Sequence, residues 1–339
     1  MKKNLLYNKR FMKKKQKTLF NLFKFIFTVL GLALFSFLVY RTGFDTITSN
    51  ITLIGYSFIF LIILALVWHY INSLAWYLLL HSSGLKAGFI TVFFNKWAAE
   101  SLNVILPMGN MGGEAFRVIM LSNNLKKENS LSNIIHDRLL HYVGSFFFIC
   151  AGSLYGIVTL KNLDIKIKTF LIAFLALLFL IFILVKKFLK KGLNKYKFNS
   201  IQKYLDAISN DLFDYEHKTE IIVILLNVLG RVIGTVEIYL VLQFLGNPFS
   251  FGTCLLLSSF LILLNVVFFI IPGGIGIAEG GQVAFITWLN FSPGLGMSLA
   301  IIRRIRQLIM TALGIIIVPF LPELSQKKLP VKRKIEELN

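Results

Sequence analysis

The sequence predicts an all-α, polytopic membrane protein, and three observations carry that prediction. First, 56% of the 339 residues are apolar, whereas soluble domains average about 45–50%. Second, several uninterrupted apolar runs reach the roughly 20 residues that a helix needs to cross a bilayer. Third, basic residues are concentrated in blocks beside these runs. Because backbone amides in lipid must pair within their own segment, the runs are predicted to be helices.

The net charge of +20 is concentrated in three blocks, at 2–24, 186–203 and 327–334. Basic residues that flank membrane spans mark the cytoplasmic side. We therefore expect both termini and the central loop to lie in the cytoplasm, in a bacterial-type plasma (inner) membrane. Nucleic acid is disfavoured as a partner, because no aromatic and basic binding motif accompanies the charge.

The predicted organisation has a basic cytoplasmic N-terminus (1–19), a transmembrane domain (20–321) and a basic cytoplasmic tail (322–339). The first apolar run is too long for a signal peptide and lacks a cleavage site, so we expect it to be retained. Within the cytoplasmic loop at 186–218, residues 198–217 fit either an amphipathic helix on the membrane surface or a solvated linker helix. About six full spans are predicted, near 20–40, 53–80, 131–160, 169–185, 219–245 and 251–271.

Two further elements are predicted to be broken or re-entrant helix pairs, at 86–121 and after residue 271. In the first, Pro107 is followed by Gly109, Gly112 and Glu114. The second repeats the pattern with Pro272, Gly274, Gly276 and Glu279. Proline and glycine interrupt helices, and such interruptions in corresponding halves of a chain are typical of transporter binding sites. The alternative is that both motifs are ordinary turns between spans.

Ionisable residues inside apolar segments are the next candidates, because each is costly in lipid. Glu114 and Arg117 are three residues apart and can pair on one helical face. Asp137 and Arg138 are adjacent and are expected to have different partners. Arg303, Arg304 and Arg306 together exceed the charge of nearby Glu279. Their surplus suits a phosphate or another anion, although snorkelling at the cytoplasmic interface explains them equally well.

The remaining ionisable residues carry weaker predictions. Arg231 and Glu237 are six residues apart, so each is expected to find a partner elsewhere. Lys96 and Glu100 have the spacing of an ordinary helix pair. The histidines show no metal-ligand pattern, and Cys150 and Cys254 form no disulfide framework. We expect no metal and no cofactor.

These motifs resemble the lysylphosphatidylglycerol synthase transmembrane-region family, flippase-like integral membrane proteins of the UPF0104 type. The resemblance runs from about residue 20 to 321 and is carried by NVILPMGNMGGEAFRVIML (103–121), IIHDRLLHYVGSF (134–146), PGGIGIAEGGQ (272–282) and SLAIIRRIRQL (298–308). The doubled glycine before Glu114, the glutamine after Gly281 and the RRIRQL run look most like the branch associated with hopanoid biosynthesis. The aminoacyl-transferase domain of full-length synthases is absent from this sequence, so we expect no aminoacylation by this chain alone.

The resemblance implies movement of a lipid or lipid-linked molecule across the bilayer, and we expect a transporter and not an enzyme. Two alternatives stay open: a non-transporting scaffold for envelope or lipid-synthesis enzymes, and a membrane enzyme that uses Glu114 and Asp137 on a lipid-linked headgroup. The motifs and the resemblance together nominate substrate-binding residues Pro107, Gly109, Gly112, Gly113, Glu114, Arg117, Asp137, Arg138, Pro272, Gly273, Gly274, Gly276, Glu279, Arg303 and Arg306.

Overall fold

The computed structural model describes Thr52 and residues 54–85, 87–106, 112–122, 127–159, 217–268 and 276–321. Within these residues the regular structure is entirely helical, as predicted. The described residues form eight α-helices: α1 (Phe58–Ser82), α2 (Phe89–Ile105), α3 (Gly112–Ser122), α4 (Lys127–Thr159), α5 (His217–Phe244), α6 (Phe251–Val267), α7 (Ile277–Trp288) and α8 (Pro293–Ile317). Single 3-10 turns precede α1 and follow α8, at Gly55–Ser57 and Val318–Phe320.

Several predictions fall outside the described residues. They concern the basic termini at 1–19 and 322–339, the spans near 20–40 and 169–185, and the cytoplasmic loop with its surface segment at 198–217. Five nominated site residues also fall there: Pro107, Gly109, Pro272, Gly273 and Gly274.

Three described helices are long and apolar enough to cross a membrane: Gly55–Ser82, Ser130–Gly156 and His217–Phe244. They correspond to three of the predicted spans. The outer faces of α1 and α5 expose large apolar side chains, among them Ile59, Ile63, Ile221 and Leu225. Exposed apolar faces of this kind suit contact with lipid, where no hydrophobic penalty attaches to them.

Of the predicted span at 251–271, the structure describes residues 251–268. Its helix, α6, has 17 residues and is apolar but shorter than the three candidate spans. Because helices of about 17–25 residues can cross a bilayer, this span stays a prediction. The helix begins sharply because Ser250 caps it, accepting a hydrogen bond from the Thr253 amide at 3.1 Å. It ends at Val267, with Phe268 as its C-cap.

Both predicted helix breaks are present. α2 ends at Ile105 and α3 starts at Gly112, while α6 ends at Val267 and α7 starts at Ile277. The second break closes on Gly276, whose φ of 84° is strained for any residue with a side chain. A re-entrant course through the membrane stays a prediction.

Along the chain, the eight described helices fall into two groups of four with the same plan, which we call the two four-helix units. Each unit has a long helix, a 17-residue helix, a short helix and a second long helix: α1 to α4 have 25, 17, 11 and 33 residues, and α5 to α8 have 28, 17, 12 and 25. The contacts between the units are reciprocal: the second helix of each unit packs on the fourth helix of the other, α2 on α8 and α6 on α4. The first helices of the two units, α1 and α5, pack on each other.

Glycines allow the closest of these reciprocal contacts. A Cβ atom on Gly314 of α8 would lie 2.0 Å from the Ser101 hydroxyl oxygen of α2. A Cβ atom on Gly152 of α4 would lie 2.0 Å from the Ser259 hydroxyl oxygen of α6. The two interfaces therefore use the same glycine-against-serine packing, and small residues of this kind are how membrane helices approach closely.

The tightest approach inside a unit is between α2 and α3. A Cβ atom on Gly113 would lie 1.9 Å from the backbone carbonyl oxygen of Ala99, and a backbone atom cannot rotate away. We expect Gly113→Ala to lower the free energy of unfolding by at least about 1–3 kcal/mol, the usual cost of overpacking. Thermal unfolding of the purified protein in detergent measures this.

The matched control is Gly280→Ala in the equivalent short helix α7, where no heavy atom lies within 4 Å of the added Cβ. Alanine is the better helix former by about 1 kcal/mol, so this variant should be neutral or more stable. Equal melting temperatures for the two variants would contradict the packing of α3 on α2.

Candidate functional site

Each four-helix unit contains the same ion pair between its short helix and its second long helix. In the first unit, Arg138 of α4 donates through Nε to Glu114 Oε1 at 2.6 Å, and its Nη2 also donates to that oxygen. In the second unit, Arg304 of α8 donates through Nε to Glu279 Oε1 at 2.7 Å, with Nη2 at 2.5 Å. The glutamate precedes the arginine by 24 residues in one unit and 25 in the other.

Glu114 is held by several groups besides Arg138. Arg117 donates to its Oε2 at 2.8 Å, so the predicted pairing of these two residues is present. The Asn103 side chain donates to Oε1 at 3.2 Å and accepts from the Gly113 amide at 2.7 Å. Asn103 thereby satisfies one of the free amides at the start of α3 and orients the carboxylate.

Asp137 lies beside Glu114 and is 2% exposed. Its Oδ2 is 2.6 Å from Lys96 Nζ and 2.8 Å from Arg117 Nη2. The Arg117 guanidinium also stacks on the Trp76 ring, 3.9 Å from its centroid, a favourable cation–π contact. Adjacent Asp137 and Arg138 do have different first partners, as predicted, yet both belong to one cluster.

We call this group the Glu114 cluster: Lys96, Glu100, Glu114, Arg117, Asp137 and Arg138. The predicted pair of Lys96 with Glu100 is wrong, because Lys96 instead reaches Asp137 on α4 and Arg138 approaches Glu100 at 3.5 Å. The cluster contains three cations and three carboxylates. Its charges therefore balance internally.

A cavity of about 300 Å³ lies next to this cluster. Side chains from α1, α2 and α5 to α8 line it, so it sits between the two units. Seven of the lining residues are charged: Glu100, Arg231, Glu237, Glu279, Arg303, Arg304 and Arg306. Because isolated charges in hydrocarbon are costly, charged side chains within membrane segments usually face a polar cavity or one another.

The arginines of α8 divide between two carboxylates. Arg304 alone bonds to Glu279, whereas Arg306 Nε lies 3.0 Å and Arg303 Nε 3.6 Å from the Glu237 carboxylate. As the sequence indicates, there is more arginine charge than Glu279 can balance, and the structure places the two other arginines at Glu237. Residues three apart share a helical face, which is why Arg303 and Arg306 meet the same acid on α5 while Arg304 turns to α7.

Arg231 was not nominated from the sequence, and it lines the cavity. Its Nη2 donates to His141 Nε2 at 2.6 Å and to the Ser145 hydroxyl at 2.8 Å. Arg231 and Glu237 thus have separate partners, as their spacing predicts. The signal available in the sequence was an arginine inside a long apolar run, but its partner is 90 residues away in the chain.

The nominated residues do not all meet at one place. Glu279, Arg303 and Arg306 line the cavity, whereas Glu114 does not. The connection runs through Arg138, which contacts both Glu114 and the cavity residue Glu100.

Comparison with known proteins identifies the family. The model for the lysylphosphatidylglycerol synthase TM region matches residues 22–314. The chain belongs to this family.

Relatives of the family support the assignment over most of the chain. A UPF0104 membrane protein of Methanocaldococcus jannaschii is 25% identical over 76% of this chain and 83% of its own length. Another, from Methanothermobacter thermautotrophicus, is 21% identical with the same coverage. A third, from Pyrococcus horikoshii, is 23% identical over 87% of this chain and 96% of its own. No solved structure matches the chain.

Family membership and the three candidate spans identify a multi-pass membrane protein. Within the part of this family member that the structure describes, no group of three or more His, Cys, Asp or Glu side chains is placed to hold a metal ion. Cys150 and Cys254 are free thiols. The polar chemistry of the described site is therefore that of guanidinium, ammonium and carboxylate groups.

The Glu114 cluster generates a stability prediction. Asp137→Asn removes the carboxylate that Lys96 and Arg117 share, leaving buried cations without their partner. Breaking a buried ion pair costs about 3–5 kcal/mol, so the variant should unfold at a markedly lower temperature in detergent. The double variant Lys96→Met and Asp137→Leu removes both charges and should recover part of the loss. A double variant less stable than Asp137→Asn would contradict the pairing.

Proposed function

We propose that this protein is a membrane lipid flippase or transporter that moves a lipid or lipid-linked molecule from one leaflet of a plasma (inner) membrane to the other. The observation that carries the proposal is the charged cavity between the two four-helix units. A headgroup crossing the bilayer needs a polar path, because hydrocarbon excludes charge and unpaired hydrogen-bonding groups. In this proposal, the cavity provides that path.

The size of the cavity supports a headgroup as the occupant. Its volume of about 300 Å³ is at the small end of ligand sites, which span about 300–1,000 Å³. A headgroup fits such a volume, whereas a whole lipid with its acyl chains does not. The chains would stay in lipid, against apolar outer faces such as those of α1 and α5.

The architecture also supports transport. Short, interrupted helices in corresponding positions of two structural units are typical of transporters. Here each short helix starts with a glutamate in its first turn, Glu114 in α3 and Glu279 in α7. Each glutamate is joined to the following long helix by its ion pair with an arginine, Arg138 in α4 or Arg304 in α8. We call this contact the arginine fork. Two matched units offer a way to open the cavity to either side by movement of one unit against the other.

An enzyme acting on a lipid-linked headgroup is the less favoured alternative. Its acid and base would be Glu114 and Asp137, but both carboxylates are already committed to two cations each. Such carboxylates are poor proton donors, because ion pairing stabilises the charged form. A non-transporting scaffold for envelope enzymes is the other alternative, and its docking surfaces would be the basic segments.

Two finer assignments belong to this proposal. The distribution of basic residues supports cytoplasmic termini, and the proposal places the protein in a bacterial-type plasma membrane, although the three relatives above are archaeal. Placement in the hopanoid-associated branch follows only from the sequence motifs, since these relatives are named simply as UPF0104 membrane proteins.

The test is lipid translocation by the full chain in liposomes. Fluorescent phospholipid or polyisoprenoid lipid is placed in both leaflets, and a membrane-impermeant quencher reports exchange between them. We expect translocation above protein-free vesicles. Glu237→Gln and Arg306→Gln should each slow it by at least about tenfold, because one charge-assisted hydrogen bond contributes about 1.5–3 kcal/mol.

Lys218→Gln is the matched control, since Lys218 lies on the same helix as Glu237 but is exposed. It should leave the rate unchanged. Variants are compared only after each elutes as a folded species in detergent. Translocation that is unaffected by both cavity variants removes the cavity from the mechanism. No translocation, together with stable co-purification of an envelope enzyme, supports the scaffold, and product formation from a lipid substrate supports the enzyme.

A further inference from the structure

The ion-pair network around the cavity has more cations than carboxylates. Among the described residues of the Glu114 cluster and the cavity lining, seven side chains are cationic and five are carboxylates. The cations are Lys96, Arg117, Arg138, Arg231, Arg303, Arg304 and Arg306, and the carboxylates are Glu100, Glu114, Asp137, Glu237 and Glu279. The difference is two positive charges in a low-dielectric setting, where uncompensated charge is costly.

The excess positive charge lies among the cavity arginines and not in the Glu114 cluster. The Glu114 cluster has equal numbers of cations and carboxylates, and Arg304 is paired with Glu279. Arg303 and Arg306, by contrast, share the single carboxylate of Glu237. Among the residues that the structure describes, one positive charge is therefore unmatched at these two arginines, which both line the cavity.

The second unmatched charge is at Arg231. Its partners in the described structure are the neutral groups of His141 and Ser145. Its Nε is buried and has no hydrogen-bond partner among the described residues. Arg231 is also the one cation of the seven that has no carboxylate within ion-pair distance in that part of the chain.

A chain of neutral hydrogen bonds holds Arg231 in place. Because an arginine only donates, His141 Nε2 must accept from it, so the imidazole proton is on Nδ1. Nδ1 then donates to Asn227 Oδ1 at 2.9 Å, and Asn227 Nδ2 donates to the Val223 carbonyl at 2.9 Å. Each group in the chain has one consistent role. These hydrogen bonds orient the Arg231 guanidinium without neutralising its charge.

We infer that the cavity binds a phosphomonoester dianion, held between Arg231 and the pair formed by Arg303 and Arg306. A phosphate monoester carries about −1.5 to −2 charges at pH 7 and three acceptor oxygens, which matches the excess of two cations. Guanidinium forks bind such oxygens in pairs. A phosphodiester supplies one charge and a zwitterionic headgroup supplies none, so both leave part of the excess uncompensated.

The ligand has two sources that share this chemistry: a lipid with a terminal phosphate, and free phosphate. We assign the lipid, a step that rests on the proposed function. The transported molecule would then be an anionic lipid whose headgroup ends in a phosphomonoester. Arg231 would be its specificity-determining residue, with His141 and Asn227 as positioning residues.

Binding of defined lipids to the full chain in detergent tests the inference. The probes are phosphatidic acid, phosphatidylglycerol and phosphatidylcholine with the same acyl chains, and inorganic phosphate. Native mass spectrometry gives the affinities. We expect phosphatidic acid to bind at least about tenfold more tightly than phosphatidylglycerol, and phosphatidylcholine to bind most weakly. A hydrogen bond to a charged group changes the dissociation constant by more than about tenfold. Equal affinity for the three lipids overturns the inference without any variant.

Variants locate the preference. Arg231→Gln should lose the selectivity for phosphatidic acid, and Arg231→Lys should restore part of it, because the charge returns without the fork. Lys218→Gln removes an exposed cation of the same helix and should retain full selectivity. Selectivity that survives in Arg231→Gln overturns the assignment of this residue. Tight binding of inorganic phosphate that phosphatidic acid does not displace overturns the lipid assignment.

The two proposals can fail separately. Selective binding of phosphatidic acid without translocation in liposomes would refute the transport function and keep the anion site. Translocation of phosphatidylcholine as fast as phosphatidic acid, by both wild-type protein and Arg231→Gln, would refute the anion site and keep the transport function.

Discussion

The fork between an arginine and a glutamate, made once in each four-helix unit, is the interaction on which the rest of the site depends. It joins the short helix that follows a break to the long helix that comes next. A broken helix in a membrane exposes amides and carbonyls that must be satisfied, and a glutamate in the first turn of the short helix complements the positive helix start. The arginine then neutralises that glutamate. Without it, Glu279 would lose its ion pair with α8, and Glu114 would keep Arg117 of its own helix but lose its ion pair with α4.

The two units use this common plan for different purposes. In the first, Asp137, Lys96 and Arg117 surround the fork, and the cluster is closed and electrically balanced. In the second, Arg304 is the charged partner of Glu279 within the described part of the chain, and Glu279 also accepts a hydrogen bond from the Gly276 amide at 2.7 Å. The first unit therefore has the character of a rigid support. The second presents its arginines to the cavity.

Close packing and charge pairing depend on each other here. Gly113 lets α3 approach α2 closely enough for Asn103 to reach both the Gly113 amide and Glu114. Gly314 allows α8 to lie against Ser101 of α2, and this contact brings the two units together beside the cavity. Buried ion pairs need accurate geometry to offset desolvation. Glycines at the helix contacts bring the helices close enough for the charged side chains to meet with this geometry.

By itself, the sequence determined the helical membrane class, the helix breaks, most helix positions and the local Glu114–Arg117 pair. Apolar run length, proline and glycine positions and a spacing of three residues are all local properties. Only the tertiary structure decided that Lys96 meets Asp137 and not Glu100, that Arg304 takes Glu279, and that Arg231 belongs to the cavity. Helical periodicity assigns a side chain to a face of its own helix, whereas its partner depends on which helix packs against that face.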